Sequence, residues 1–199
     1  MTDQKTLDIY NAKADDYAAA MEAFGIHHTI TRFAKQLSKA ALVLDLGCGH
    51  GATAAYLQQQ GLQVEAWDAS TAMQQLAKQQ FDIDVQHKTF DALQSQDAYH
   101  GICANYSLLH ASPEQFPHYL AAIATALKDD GLLHLGMKIG EGVHRDKLGR
   151  RYAYYSEQQL IDYLEALGLN VEYHHHSHAV GLAGTADPGI AIHARKTRS

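Results

Sequence analysis

Asp45 closes the apolar run Val43-Leu44-Asp45-Leu46 and is followed by glycines at alternate positions 47, 49 and 51. That pattern reads as a buried strand breaking into a tight turn, with a helix starting near Ala52. Glycines there permit positive φ and let a ligand approach the main chain with no Cβ in the way. A carboxylate at the strand's carboxyl end accepts hydrogen bonds from a cationic ammonium group. The loop holds neither Lys nor Arg, which a phosphate-binding loop would want. The chemistry therefore points to a ligand with an amino-acid head rather than to nucleotide phosphates. About twenty residues on, Val64-Glu65-Ala66-Trp67-Asp68 reads as a second strand ending in an acid. An acid there is suited to gripping both hydroxyls of a ribose.

The spacing Asp45-x-Gly47-x-Gly49-x-Gly51 resembles the first signature of class I S-adenosylmethionine-dependent methyltransferases. No third glycine follows three residues after the second, and Asp45 sits where dinucleotide dehydrogenases usually carry an apolar residue. Ala69-Ser70-x-x-Met73 is similar to that family's next segment, in which Met73 lies against adenine. The resemblance implies S-adenosylmethionine as cofactor, with contacts from Asp45, Gly47, Cys48, Gly49, Asp68, Ala69 and Met73. It places the Asn105 backbone carbonyl on the methionine ammonium, with Tyr106 and His110 facing the substrate. After the third strand, Phe90 offers a ring edge or a backbone N–H to the cofactor. Asp91 either accepts from the adenine amino group or serves as a turn or capping residue. Tyr10 and Tyr17 resemble the lid that small methyltransferases fold over the cofactor. Seven residues apart, they can also share one helix face and pack in the core.

His110 is the sharpest acid/base candidate among the chain's 14 histidines. Imidazole titrates near neutrality, so His110 either takes a proton from the acceptor or hydrogen-bonds locally to shape its loop. The segment from Lys138 to Ser156 mixes glycines, cations and tyrosines, which a solvated loop has little reason to do. Arginine forks bind carboxylate or phosphate, so Arg145, Arg150, Arg151 and Tyr154 are candidate acceptor-binding residues. Alternatively Asp146 pairs with Arg150 and the loop is a self-bonded brace. This segment and the Ser107-Leu108-Leu109-His110 loop together are similar to a bacterial subgroup of small class I methyltransferases, and the similarity spans nearly the whole chain. In the tract His174-His175-His176-Ser177-His178, strand alternation lets only His174, His176 and His178 converge. Methyl transfer needs no metal, and a tract on a sheet edge is the expected account.

The chain has 199 residues, is 46% hydrophobic and carries a formal net charge of −6. That acidic balance argues against nucleic acid as the main partner. No apolar run approaches the roughly 20 residues of a membrane helix, and the first residues show no hydrophobic signal region. The two cysteines, Cys48 and Cys103, do not make a disulfide framework. A cytoplasmic protein is expected.

Strands near 41–46, 63–68, 84–89, 100–105, 132–137, 169–176 and 190–195 alternate with helices near 51–60, 70–80, 113–127 and 156–168. Pro113 suits the first turn of the third of these; Asp129-Asp130-Gly131 reads as the turn out of it. The expected fold is α/β: a doubly wound, mostly parallel seven-stranded sheet with helices on both faces and the last strand antiparallel. Residues 1–199 read as one domain, with a helical lid region at 1–38 and the sheet core at 39–199. The expected activity is methyl transfer from S-adenosylmethionine to a small, anionic acceptor. Two competitors are a transfer-RNA methyltransferase and a non-catalytic S-adenosylmethionine binder.

Overall fold

Val43 and Leu44 put one side chain on each face of the central strand, β1 (Leu42–Leu46), and both are fully buried. The computed structural model describes residues 3–180, 184 and 186–198. In it β1 is flanked by parallel neighbours on both sides: β2 (Gln63–Asp68) and then β3 (Val85–His87) one way, β4 (Tyr99–Asn105) and then β5 (Leu127–Lys138) the other. Two long strands, β8 (Leu169–Val180) and β9 (Ala186–Lys196), complete the sheet; β9 pairs antiparallel with both β5 and β8. The order is β3-β2-β1-β4-β5-β9-β8, so the winding reverses between β1 and β4. This is the expected doubly wound seven-stranded sheet, with its last strand antiparallel.

Alternation along the parallel strands covers both faces. Leu44, Leu46, Ile102, Leu133 and Leu135 face α6 (Phe116–Ala126) and α7 (Glu157–Ala166), meeting Phe116, Leu120, Leu160 and Leu164. Val43, Cys103 and Leu132 face the other way, onto Ile30 and Phe33 of α3 (His28–Lys35) and Leu57 of α4 (Ala52–Gln59). Each such apolar side chain, fully buried, contributes about 1.5–3 kcal/mol. Small residues finish that side: Ala54 of α4 packs with Ala77 of α5 (Thr71–Phe81) and Ala66 of β2.

The N-terminal region forms three helices: α1 (Gln4–Ala12), α2 (Ala14–Phe24) and α3. Asp3 caps α1 by accepting from the Thr6 amide at 3.0 Å and from its hydroxyl. Ser156 and Gln159 form a capping box at the start of α7.

Two local expectations are corrected. Pro113 is not in the first turn of a helix. Gln115 and Phe116 donate back to the Ser112 carbonyl in a preceding turn, the helix starts at Phe116, and Pro117 takes the early position. Asp129-Asp130-Gly131 does not separate helix from strand either. Leu127 already pairs with Tyr99, Asp130 adopts φ 60°, and pairing resumes out of step at Leu132 and Gly101. The Lys138–Ser156 segment contains a small hairpin, β6 (Val143–Arg145) and β7 (Arg151–Ala153), outside the main sheet.

Candidate active site

In open α/β sheets, ligands bind at the carboxyl ends of the strands where the winding reverses. Two cavities lie at that end here, of about 90 Å³ and about 320 Å³. They share Tyr10, Tyr17, Gly47, Asn105 and Tyr106, so the two adjoin at those residues.

The smaller cavity is walled by Gly47, Gly49, Asp68, Ala69, Met73 and Phe90. Gly47 has φ +76°, and a Cβ there would stand 2.4 Å from the Ser107 Cβ. The turn therefore admits only glycine, and the backbone edge stays open to a ligand. Asp68 accepts from the amides of Gly49 and Ser70, both at 2.8 Å. Burial raises the pKa of Asp68 against the pull of those amides. Ser70 accepts from the Met73 amide, capping α5, and donates to Asn11 of α1 at 2.7 Å. The N-terminal helix is thereby tied to the wall of the cavity.

Asp45 lines the larger cavity and is 1% exposed. Burial, then the charge of Asp68, push its carboxyl up to about 7, while the Cys103 thiol and the Ala54 amide hold it down. Its Oδ2 has no hydrogen-bond partner. A buried carboxylate oxygen left unpaired beside a cavity is costly and fits a cationic group supplied by a ligand. The Cys48 thiol, in the same wall, is pushed well above its ordinary value by burial and contacts the Gly49 carbonyl. It is no nucleophile.

His110 and Arg150 meet across Tyr10. His110 Nδ1 lies 2.7 Å from the Arg151 carbonyl, which can only accept, so Nδ1 carries the proton. Nε2 then accepts from the Tyr10 hydroxyl at 2.9 Å, and that hydroxyl accepts from Arg150 Nη1 at 3.1 Å. Burial lowers the His110 pKa to about 4, so the ring is neutral. Arg150, 3% exposed, gives Nε and Nη2 to Asp146 at 2.9 and 2.7 Å. The brace between Asp146 and Arg150 is thus formed, with Nη1 left for Tyr10.

Tyr106 follows β4 at φ 54°, with its hydroxyl 3.1 Å from Ser177. Gly189 makes room for it: a Cβ there would lie 2.5 Å from the Tyr106 oxygen. The Asn105 side chain pairs with buried His134, which pairs in turn with buried His193. Tyr10 and Tyr17 pack edge to face, 5.6 Å apart, and line both cavities.

Four expected residues lie outside both cavity walls; one, Arg151, donates Nη2 to the His110 carbonyl at 2.9 Å. Arg145 makes a two-pronged contact with Asp3, at 2.9 Å for each nitrogen, and fastens the hairpin to the N-terminus. Tyr154 stacks loosely beside His144 and Tyr152. Asp91 is exposed, sits inside a short 3-10 turn and accepts from the Tyr119 hydroxyl at 3.0 Å. Conversely, Lys138, Tyr152, His27, His175 and Ser177 line the larger cavity. Lys138, His175 and Ser177 had a signal in the sequence. Lys138 ends β5, and β8 runs parallel to β5 through β9, so both deliver their carboxyl ends to the crevice.

The fold and this crevice define a doubly wound α/β protein with its cavities at the point where the sheet's winding reverses. Residues 17–174 match the methyltransferase-domain family, and the chain belongs to it. An uncharacterized methyltransferase of Staphylococcus carnosus is 27% identical over 133 residues, 66% of this chain; the match spans 62% of that relative's length. Among solved structures, a Burkholderia thailandensis 1,6-didemethyltoxoflavin-N1-methyltransferase superposes with TM-score 0.74 and 21% identity, covering 96% of this chain and 88% of that one. It was solved with 1,6-didemethyltoxoflavin and S-adenosylhomocysteine bound. An S-adenosylmethionine-dependent methyltransferase of Methanosarcina mazei gives 0.75 at 16% identity, covering 88% of this chain and 100% of that one. A methyltransferase of Haloferax volcanii, solved with the activator Trm112, gives 0.74 at 16%, covering 98% of each chain. The cofactor of this family, S-adenosylmethionine, fits the residues present: an unpaired buried carboxylate for its ammonium, a glycine turn for close approach, and Asp68 for its ribose.

Proposed function

We propose that this protein transfers the methyl group of S-adenosylmethionine to a small, anionic acceptor held in the larger cavity. The observation that carries this reading is the junction: the cavity walled by the glycine turn and Asp68 adjoins, at Tyr10, Tyr17 and Asn105, a larger one of about 320 Å³. The wall of the larger cavity includes Lys138 and Arg150, and Asp45 is its one carboxylate among the described residues.

When bound, S-adenosylmethionine supplies a methyl group already activated on a sulfonium. The protein's own task is to orient, exclude water and manage a proton. Asp68 and the glycine turn hold the nucleoside; Asp45 Oδ2 and the Asn105 carbonyl take the ammonium. Met73 and Phe90 flank the base. Holding donor and acceptor in line supplies several kcal/mol of the barrier, on the order of 7 for well-aligned pairs. Of the two roles open to His110, the geometry favours the local one. Its Nε2 is engaged by Tyr10, and a pKa near 4 makes it a weak base at neutral pH. That favours an acceptor that arrives ionised, such as a carboxylate or thiolate, which needs no base. Arg150, with Nη1 on the Tyr10 hydroxyl, orders the wall beside the acceptor.

Incubating the protein with methyl-labelled S-adenosylmethionine and cell extract, then fractionating by size, tests this. Label is expected in the small-molecule fraction, in a product that anion exchange holds less tightly than its unlabelled, unmethylated acceptor. Label in RNA would replace the acceptor class. No label in any fraction, with cofactor binding intact, would leave a binder without transfer.

A further inference from the structure

Strand alternation places His174 and His176 on one side of β8 and His175 on the other. His174 and His176 stack 5.7 Å apart, and both contact Glu157 of α7, at 2.7 and 3.0 Å. They form a surface pair with its own partner. His175 points the opposite way and meets two histidines from a distant part of the chain, His27 and His28, at the start of α3. The ring centroids are 4.2 Å apart for His27 and His28, 4.4 Å for His28 and His175, and 5.5 Å for His27 and His175. One nitrogen from each ring lies within 4.8 Å of the others.

From this cluster we infer a site for a divalent transition-metal ion of the zinc type, held by His27, His28 and His175 at the rim of the larger cavity. Three imidazole nitrogens on one tetrahedral ion at about 2.0–2.1 Å stand about 3.3 Å apart. The present nitrogens lie within 4.8 Å of one another, so the ion would draw them closer. Neutral imidazole suits Zn²⁺, Cu²⁺, Ni²⁺ and Co²⁺ and offers little to Mg²⁺ or Ca²⁺, which prefer oxygen. The nitrogens are available. His27 uses Nδ1 to meet the Thr29 hydroxyl and amide at the helix start, leaving Nε2. That bond also orients the ring, as the outer partners of metal-bound histidines do. Neither His28 nor His175 has a hydrogen-bonding partner among the described residues. Apart from the His27 bond to Thr29, no hydrogen bond among the described residues holds these three rings together. An ion would satisfy all three.

Position gives the site its interest. His27 and His175 line the same cavity as Tyr106, Lys138 and Ser177. Three protein ligands leave a tetrahedral ion one open position, and two of the three residues, His27 and His175, line that cavity. An anionic oxygen or sulfur donor in that cavity could occupy the open position. This last step rests on the reading of the cavity as an acceptor site, whereas the metal site itself does not.

The test is binding, read without any methyl transfer. Full-length protein free of any affinity tag is titrated calorimetrically with Zn²⁺, and in parallel with Co²⁺ while its visible absorption is recorded. Expected are saturation at one equivalent and Co²⁺ bands of a four- or five-coordinate ion. H28A and H175Q should lose saturable binding while keeping the parent's melting temperature without metal. The double variant H174A/H176A, on the opposite face, should bind as the parent does. His28 is exposed at a helix start, so H28A keeps the test valid even if changes at His175 disturb the strand. Absent saturation in the parent, or binding that H28A and H175Q leave intact, overturns the site. Binding abolished by H174A/H176A alone would move the ligands to the other face and equally overturn it.

Discussion

Burial and the neighbouring Asp68 push the Asp45 carboxyl up to about 7, against an ordinary value of 3.8. Between those values the protein without ligand holds a proton there that an ordinary carboxyl would have released. A cationic ammonium beside Oδ2 stabilises only the ionised form, so binding must expel that proton below pH 7. Affinity for S-adenosylmethionine is therefore expected to rise with pH, by up to about tenfold per unit below pH 7, and to level off above it. Calorimetric titration across this range in two buffers of different ionisation enthalpy reads both the slope and the proton released. Asp45→Asn should flatten the profile; a flat profile for the parent would put the ammonium elsewhere. Arg150 differs, because its charge is already answered. Its pair with Asp146 is buried on both sides, at 4% and 6% side-chain exposure. Arg150→Ala leaves the Asp146 carboxylate buried without its partner, at a cost of about 3–5 kcal/mol. A marked drop in melting temperature is expected, with cofactor binding and turnover both reduced through the loosened wall. A variant that melts with the parent and loses only turnover would make Arg150 an acceptor clamp instead.

At the level of elements, α1 is the wall piece held most by polar contacts. Thr6 accepts from the Arg151 amide, Asp3 takes Arg145, Asn11 takes Ser70, and Tyr10 sits between Arg150 and His110. Tyr10→Phe removes one hydroxyl and leaves two buried polar groups, His110 Nε2 and an Arg150 N–H, without a protein partner. The expected loss is about 1–3 kcal/mol, read as faster amide exchange over residues 4–12 and weaker S-adenosylmethionine binding. Unchanged exchange would mean that the helix is held by its other contacts alone. This wall also marks where sequence reasoning stops. The strand–turn–helix at Asp45–Gly51 and the acid at Asp68 were legible because each is a local pattern with one sensible geometry. The helix start near 156 was legible for the same reason. Pro113 misled because a proline in a turn before a helix and one inside its first turn look alike when Pro117 follows four residues later. The partners of Arg145 and Arg150 were only half legible. Asp146 is four residues from Arg150, but Asp3 and Tyr10 are about 140 residues away, and no local pattern reports such a contact. His175 joins His27 and His28 for the same non-local reason.

Across the whole molecule, what folds the chain and what closes the site are carried by different segments. The sheet buries its two faces against α3, α4, α6 and α7, and α3 contributes Ile30 and Phe33, at 1% and 0% exposure, to the core beneath β1, β4 and β5. By contrast, the buried apolar residues that the first two helices give among the described residues, Ala14 and Ala18, form a small cluster with Met73 and Leu76 of α5, joined by the half-buried Tyr10 and Tyr17. Removing residues 1–26 should therefore cost the sheet little of its core, since α3 and its cap residue His27 remain. It would remove Tyr10 and Tyr17, which line both cavities, and admit water to the place where donor and acceptor meet. The shortened chain is expected to unfold in one cooperative transition at a moderately lower temperature. Its affinity for S-adenosylmethionine should fall by roughly tenfold or more, because the charged contacts at Asp45 and Asp68 weaken once water competes for them. Thermal unfolding and calorimetric titration of this one variant decide the matter. Loss of cooperative unfolding would make the N-terminal helices part of the folding core, and full affinity would show that the cleft binds its cofactor without a lid.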